Sequence, residues 1–288
     1  EALILGAAGD DTITGSDAAT GTGYRETLLG NEDDDIIYGN DDDDEIHGGD
    51  GSDIIYGGGG TDTIYGDGGD DDINGNEVAD YIYGGTGDDT IWGYEGDDDL
   101  EGGAGNDVIY GDDQNNTTGF SGYGDDVIRG DAGSDILMGG DGNDTIYGGT
   151  GDDEINGGDD DDVIYGGSGN DVLQGGGGDD SIYGGSGFDV IRVERDFQVG
   201  TQTVYGFNVS QDQLDLTDYT NYSYILGDNP TQEEYQTAFL ESFQQVGSDA
   251  VSDLIDLLPG SQVVLVGVDV NSLSEDNFTF VSHTNTLL

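Results

Sequence analysis

Along the first two-thirds of the chain a lone Ile or Leu recurs every nine residues, and almost everything around it is glycine or acid. The stretch GGDGNDTIYGGTGDDEINGGDDDDVIYGG (139–167) shows the form. Two residues before each apolar position stands an acid, from Asp11 and Ile13 through to Asp189 and Ile191. Each unit predicts a three-residue strand whose central Ile or Leu points inward while its neighbours point out, because strand side chains alternate. The preceding six residues are rich in Gly at their first, second and fourth positions, which permits positive φ and close backbone approach, so they predict a turn with inward carbonyls. Turn, strand, turn, strand then closes one 18-residue coil, and units two apart stack on the same side of a flattened roll.

The acids at this position are Asp35, Asp44, Asp53, Asp62, Asp71, Asp80, Asp89, Asp98 and Asp107, then Asp126, Asp135, Asp144, Asp153, Asp162, Asp171, Asp180 and Asp189. An earlier unit ends near Asp11 and is followed by an insertion near 15–20 and a degenerate copy, GTGYRETLL (21–29), with Glu26 at the acid position. Ten extra residues, GDDQNNTTGF (111–120), interrupt the phase once. The coil places Asp144 beside Asp162 and Asp153 beside Asp171, so the acids form two columns of hard oxygen donors. Calcium takes about 6 to 8 oxygens from carboxylates and carbonyls and suits such a site; magnesium, with its stricter geometry, suits it less. Pairing the loops of the two unbroken blocks gives about a dozen calcium ions.

Units such as GGGGTDTIY (57–65) and GGSGNDVLQ (166–174) spell G-G-x-G-x-D-x-U-x. With them the chain resembles the RTX (repeats-in-toxin) family of calcium-binding repeat proteins over roughly residues 6–192. The resemblance implies an all-β fold, a calcium-loaded parallel β-roll at 1–192, with the eighteen Asp residues named above as metal ligands. It also implies a protein that is secreted, extracellular or at the cell surface. At position four the units carry Gly, or Asp in three cases, but Val78 in GNEVADYIY (75–83). A β-branched residue resists a left-handed backbone, which puts the site at Asp80 in doubt.

Composition narrows the partners. Four basic residues against 65 acids give a net charge of −61, which excludes a phosphate-binding surface and attraction to anionic lipid. Neither nucleic acid nor membrane insertion is expected. One Ile per nine ordered residues cannot by itself hold the chain against its own repulsion, so metal binding must supply folding free energy. Without Cys, disulfides and thiol-ligated metals are excluded. Outward aromatics follow the inward Ile at Tyr38, Tyr56, Trp92 and Tyr110 on one face and Tyr65 and Tyr83 on the other, with Tyr147, Tyr165 and Tyr183 spaced by 18. They are read as stacked rings stabilising parallel strands; His47 shares the position and is read as solvated.

After Arg192 glycine becomes sparse and only 15 of the 65 acids remain, so 193–288 is expected to be a smaller α+β or β-sandwich-like capping domain. TQEEYQTAFLESFQQV (231–246) predicts a helix with Thr231 and Glu234 as a capping box, and SQVVLVGV (261–268) a buried strand. QDQLDLTDY (211–219), SDAVSDLIDLLPGSQVVLVGVDV (248–270) and SEDNFTF (274–280) look like the cap and type I secretion signal that follow such repeats, which implies the type I secretion apparatus as a partner during export.

Neither an H-E-x-x-H nor a G-x-S-x-G motif is present, and two isolated His residues cannot build a hydrolase site, so the chain is not expected to be an enzyme. Two functions follow. In one, the chain is a calcium-assembled structural protein, a homo-oligomer or polymer forming a surface layer, filament or matrix. In the other, favoured by the absent starting Met, it is the calcium-folded secretion module of a larger exported enzyme or adhesin.

Overall fold

A computed structural model describes residues 2–16, 25–112, 124–193, 200–215, 243–246, 249–253 and 262–279. Two long sheets face each other across a narrow core, one of fourteen strands and one of twelve among these residues. The first sheet begins Ala2–Leu5, Glu26–Glu32, Glu45–Asp50 and the second Thr12–Thr14, Ile36–Asp41, Ile54–Gly59, so consecutive strands alternate between sheets. Neighbours within a sheet are parallel and 18 residues apart in the regular part: Ile146 lies beside Ile164, and Ile155 beside Leu173. This is the expected roll.

Most strands are longer than the predicted three residues. Ile54–Gly59 and Val163–Ser168, for example, run on through the next unit's first two glycines. Burial alternates along them, so the first glycine of each unit faces the core beside the Ile. The core is one Ile or Leu per strand, fully buried from Leu28 to Ile191. A side chain cannot replace that glycine: a Cβ on Gly57 would lie 2.6 Å from Asp62 Oδ2 and 2.9 Å from the Gly75 carbonyl oxygen. Positions two and four carry the positive φ values, as at Gly58 (112°) and Gly60 (116°). Among the described residues, all ten non-Gly residues with positive φ also fall there, among them Asp33, Asp42 and Asp160 at position four.

The extra residues fall in sequence between Asp112 at position two and Gly124 at position four; 113–123 lie outside the described residues. The strands on either side stay in register, Leu100 beside Ile128 and Ile109 beside Leu137. The columns therefore pass the insertion unbroken instead of dividing into two blocks, because the insertion falls between two turn positions and not within a strand.

The compositional change at Arg192 is not a break in the sheets. Thr201–Tyr205 pairs in parallel with Asp180–Ser186 and Gln262–Val266 with Thr201–Tyr205, setting Ile182, Val204 and Leu265 in one buried row. Gln213–Asp215 and Phe278–Thr279 extend the other sheet, with Leu214 and Phe278 behind Ile191. The strand expected at 261–268 is present as Gln262–Val266, buried on one side through Val263 and Leu265. The expected helix is not borne out at its end: Phe243–Val246 is a strand, antiparallel to Asp249–Asp253, which runs antiparallel to Gln262–Val266. Residues 231–242 of that expectation lie outside the described residues. Among the described residues no helix is long and apolar enough to cross a membrane.

Candidate metal array

The acid two residues before each core Ile points into the roll. Asp44 and its fellows from Asp35 to Asp189 are buried, in two files that run the length of the sheets. In every coil one oxygen is committed: Asp53 Oδ1 accepts the Asp35 N–H at 2.7 Å, and Asp162 Oδ1 the Asp144 N–H at 2.9 Å. Each carboxylate thus reaches back to the coil before it. The ladder crosses the insertion, with Asp126 Oδ1 accepting from Asp98 N–H and Asp135 Oδ1 from Asp107 N–H, both at 2.8 Å.

The second oxygen is different. Oδ2 of Asp35, Asp44, Asp53, Asp62, Asp71, Asp80, Asp89, Asp98, Asp107, Asp126, Asp135, Asp144, Asp153, Asp162, Asp171 and Asp189 is buried with no hydrogen-bond donor. A buried carboxylate oxygen without a partner is strongly unfavourable, and here it recurs in nearly every coil. Burial pushes these carboxyls up, against the lowering effect of the ladder N–H, to about 8 at Asp62 and Asp162. At Asp98 burial and the Asp126 charge, and at Asp144 burial with the charges of Asp126 and Asp162, push them to about 9. At neutral pH the metal-free roll would have to protonate these groups or hold uncompensated charge.

A divalent cation removes that conflict, and the donors present fit one kind. Among the described residues no group of three His, Cys, Asp or Glu side chains is placed to hold one ion, so backbone carbonyls must supply most of the oxygens. The position-one carbonyl of the next coil already faces Asp62 Oδ2 across Gly57. One carboxylate with several carbonyls suits calcium, and an all-oxygen set without Cys suits neither zinc nor copper. His47 lies apart, stacked on Tyr65 with Nδ1 3.1 Å from Asp67 Oδ2 and Nε2 3.6 Å from Glu45 Oε1, so it is a partner of surface acids and not simply solvated.

Two expected ligands stand apart from the sixteen. Asp11 Oδ2 accepts the Ala7 N–H at 2.5 Å, and Asp180 Oδ2 accepts from the Gln202 side-chain amide. Asp80, in doubt from the sequence, is placed like its neighbours: Asp80 Oδ1 accepts the Asp62 N–H at 2.8 Å and its Oδ2 is unpartnered. Val78 takes the left-handed backbone nonetheless, at φ 64°, and stays 49% exposed. The conformation is imposed by the stacked coils above and below, at a local cost in strain.

A second ladder was not read from the sequence. The residue before most of the buried Asp residues uses its side chain in the opposite direction: Asp34 Oδ1 accepts the Ser52 N–H at 2.9 Å, and Asp152 Oδ1 the Asn170 N–H at 2.7 Å. Adjacent residues therefore clasp the next coil and the previous one, and this outer file stays exposed. The frequency of Asp, Asn, Ser and Thr just before the buried Asp was the available signal. On the outer faces Tyr147, Tyr165, Tyr183 and Tyr205 stack at 4.5–4.9 Å, Tyr38 on Tyr56 at 5.1 Å and Trp92 on Tyr110 at 5.7 Å. Their ring faces cover one another, which supports the parallel stack.

A parallel β-roll lined by such files is the architecture of a calcium-binding repeat protein. A family model for the RTX calcium-binding nonapeptide repeat matches residues 3–19, 20–55, 47–82, 74–109, 93–118, 120–155 and 156–191, and the chain belongs to that family. No curated protein matches it. Among solved structures, the AlgE6R3 subunit of the Azotobacter vinelandii mannuronan C5-epimerase is 24% identical, with a TM-score of 0.33 over 55% of this chain and 85% of that one. The extracellular lipase LipA of Serratia marcescens is 17% identical, with a TM-score of 0.29 over 91% of this chain and 41% of the lipase. Overlaps this low leave the fold to be argued from the strands themselves.

Proposed function

We propose that the chain is a secreted, non-catalytic structural protein that folds when it meets calcium outside the cell and then self-assembles into a surface layer, filament or matrix. The observation that carries the calcium step is the file of buried, unpartnered Oδ2 atoms. At the low calcium of a cytosol the acids would repel and keep the chain open, a state suited to export through a type I apparatus, and external calcium would close the roll. Assembly is supported by the first strand, Ala2–Leu5, which among the described residues pairs on one side only and carries Leu3 and Leu5 62% and 58% exposed. Contact there by another copy would be head-to-tail and would propagate instead of closing. The same apolar strand would equally receive a neighbouring domain, which is the reading as a calcium-folded secretion module of a larger exported enzyme or adhesin.

Light scattering and electron microscopy across a calcium titration distinguish the two. Self-assembly predicts polymers at calcium above that needed for folding, weakened in a Leu3→Ser, Leu5→Ser variant. A chain that folds fully yet stays monomeric at high calcium and high concentration would eliminate assembly and leave the module.

A further inference from the structure

The two files of carboxylates end differently from their interiors, and always in the same manner. In the first sheet's file every Asp from Asp44 to Asp162 has an unpartnered Oδ2. Before it stands Glu26, whose side chain accepts the Ser16 N–H at 2.7 Å and the Ser16 Oγ–H at 3.0 Å. After it stands Asp180, whose Oδ2 accepts from Gln202. In the second sheet's file the open members run from Asp35 to Asp189. Beyond them Asp11 Oδ2 takes the Ala7 N–H and Asp212 Oδ2 the Asn208 N–H, at 2.5 and 2.6 Å.

We propose that the chain sets the length of its own calcium array by closing each end with an internal N–H donor, and that Gln202 does so at Asp180 by standing where a cation would otherwise be needed. This rests on the reading that the open Oδ2 atoms are where calcium is held. Gln202 occupies the register of the next position-six acid: it lies beside Asp180, and Val204, two residues on, lies beside Ile182 in the core row. In the coils from Asp44 to Asp162 an Asp stands there and adds a negative charge. Gln202 is instead neutral and buried, and its amide also donates to the Gly176 carbonyl at 3.2 Å. Its orientation is fixed by charge, since turning the amide would set Oε1 against the Asp180 carboxylate. The amide satisfies the Asp180 oxygen with no metal and leaves in its place only Gln202 Oε1, buried and unpartnered beside Gly175 but uncharged, so the file of open carboxylate oxygens stops one coil short of the acid pattern read from the sequence.

Counting bound ions by native mass spectrometry on the full chain at saturating calcium tests this. Asp162→Asn, inside the file, should lose at least one ion. Asp180→Asn should lose none, because its Oδ2 partner is Gln202, whose amide can turn to accept from the new Asn. Gln202→Asp should gain at least one ion. Loss of an ion from Asp180→Asn, or no gain in Gln202→Asp while Asp162→Asn still loses one, would overturn the closure and leave the array reading intact. No loss in Asp162→Asn would overturn both.

Discussion

The repeats and the segment beyond Arg192 build the same parallel stack by different means. From Asp35 to Asp171 each repeat pairs one buried Ile or Leu with a buried Asp whose second oxygen has no donor, and positions two and four take positive φ, at Val78 against its preference. Beyond it, the core row continues through Val204, Leu214, Leu265 and Phe278, but the acid position holds Gln202 or a fully bonded Asp212. Where each repeat acid's carbonyl takes a main-chain N–H, as Asp35 takes that of Ile54, the Asp212 carbonyl takes the Asn277 side-chain amide at 3.3 Å. The difference teaches that the parallel stack is built with or without a carboxylate at that position. The repeats place an uncompensated carboxylate where the later coils place an amide or a complete set of donors, and there a cation would act.

The largest break in that comparison should come from pH. Burial raises the repeat carboxyls, to about 6 at Asp53 and about 9 at Asp144. A raised carboxyl favours the fold while protonated, and that contribution is lost as pH rises through the folded values. In calcium-free buffer the chain should therefore gain β signal by circular dichroism between pH 8 and pH 5. With calcium present, protons compete with the cation, so the calcium midpoint should rise over the same interval. Loss of β signal on acidification of the calcium-free chain would contradict the assignment of these groups as buried and unpaired.

A smaller effect separates two glycines. Gly57→Ala drives a methyl group into Asp62 Oδ2 and the Gly75 carbonyl, and should cost about 3 kcal/mol in calcium-loaded denaturant unfolding. Gly206, at φ 72° with nothing near its missing side chain, should cost only about 1 kcal/mol as Ala. Equal costs would mean that crowding by the carboxylate file is not what excludes side chains from position one. Smallest is Val78→Gly, which relieves a β-branched residue at φ 64° and should stabilise by about 1 kcal/mol while lowering the calcium midpoint slightly. An unchanged midpoint would show that the strain is not coupled to the neighbouring Asp80.

The roll was legible because its period is rigid: Asp, then Ile two residues later, survives even where Glu26 or Val78 departs from the pattern. The direction in which each carboxylate reaches was not legible, since spacing places Asp144 beside Asp162 without saying which oxygen meets which N–H. Continuation past Arg192 was hidden for a related reason. The register lengthens, so that Asp180 is matched by Gln202 and Asp189 by Asp212, and the glycines that announce each turn are gone. The Asp212-x-Leu214 spacing was the surviving trace. At 243–246 the aromatic spacing that suggested a helix is overridden by pairing with Asp249–Asp253, a conflict that a short apolar run cannot resolve alone.

Amide hydrogen exchange along the chain, with and without a calcium chelator at neutral pH, tests the central claim most directly. The account predicts that strands from Ile36 to Arg192 are protected in calcium and exchange freely in chelator, because the carboxylates that line them are then uncompensated. Retained protection across those strands in chelator would contradict it.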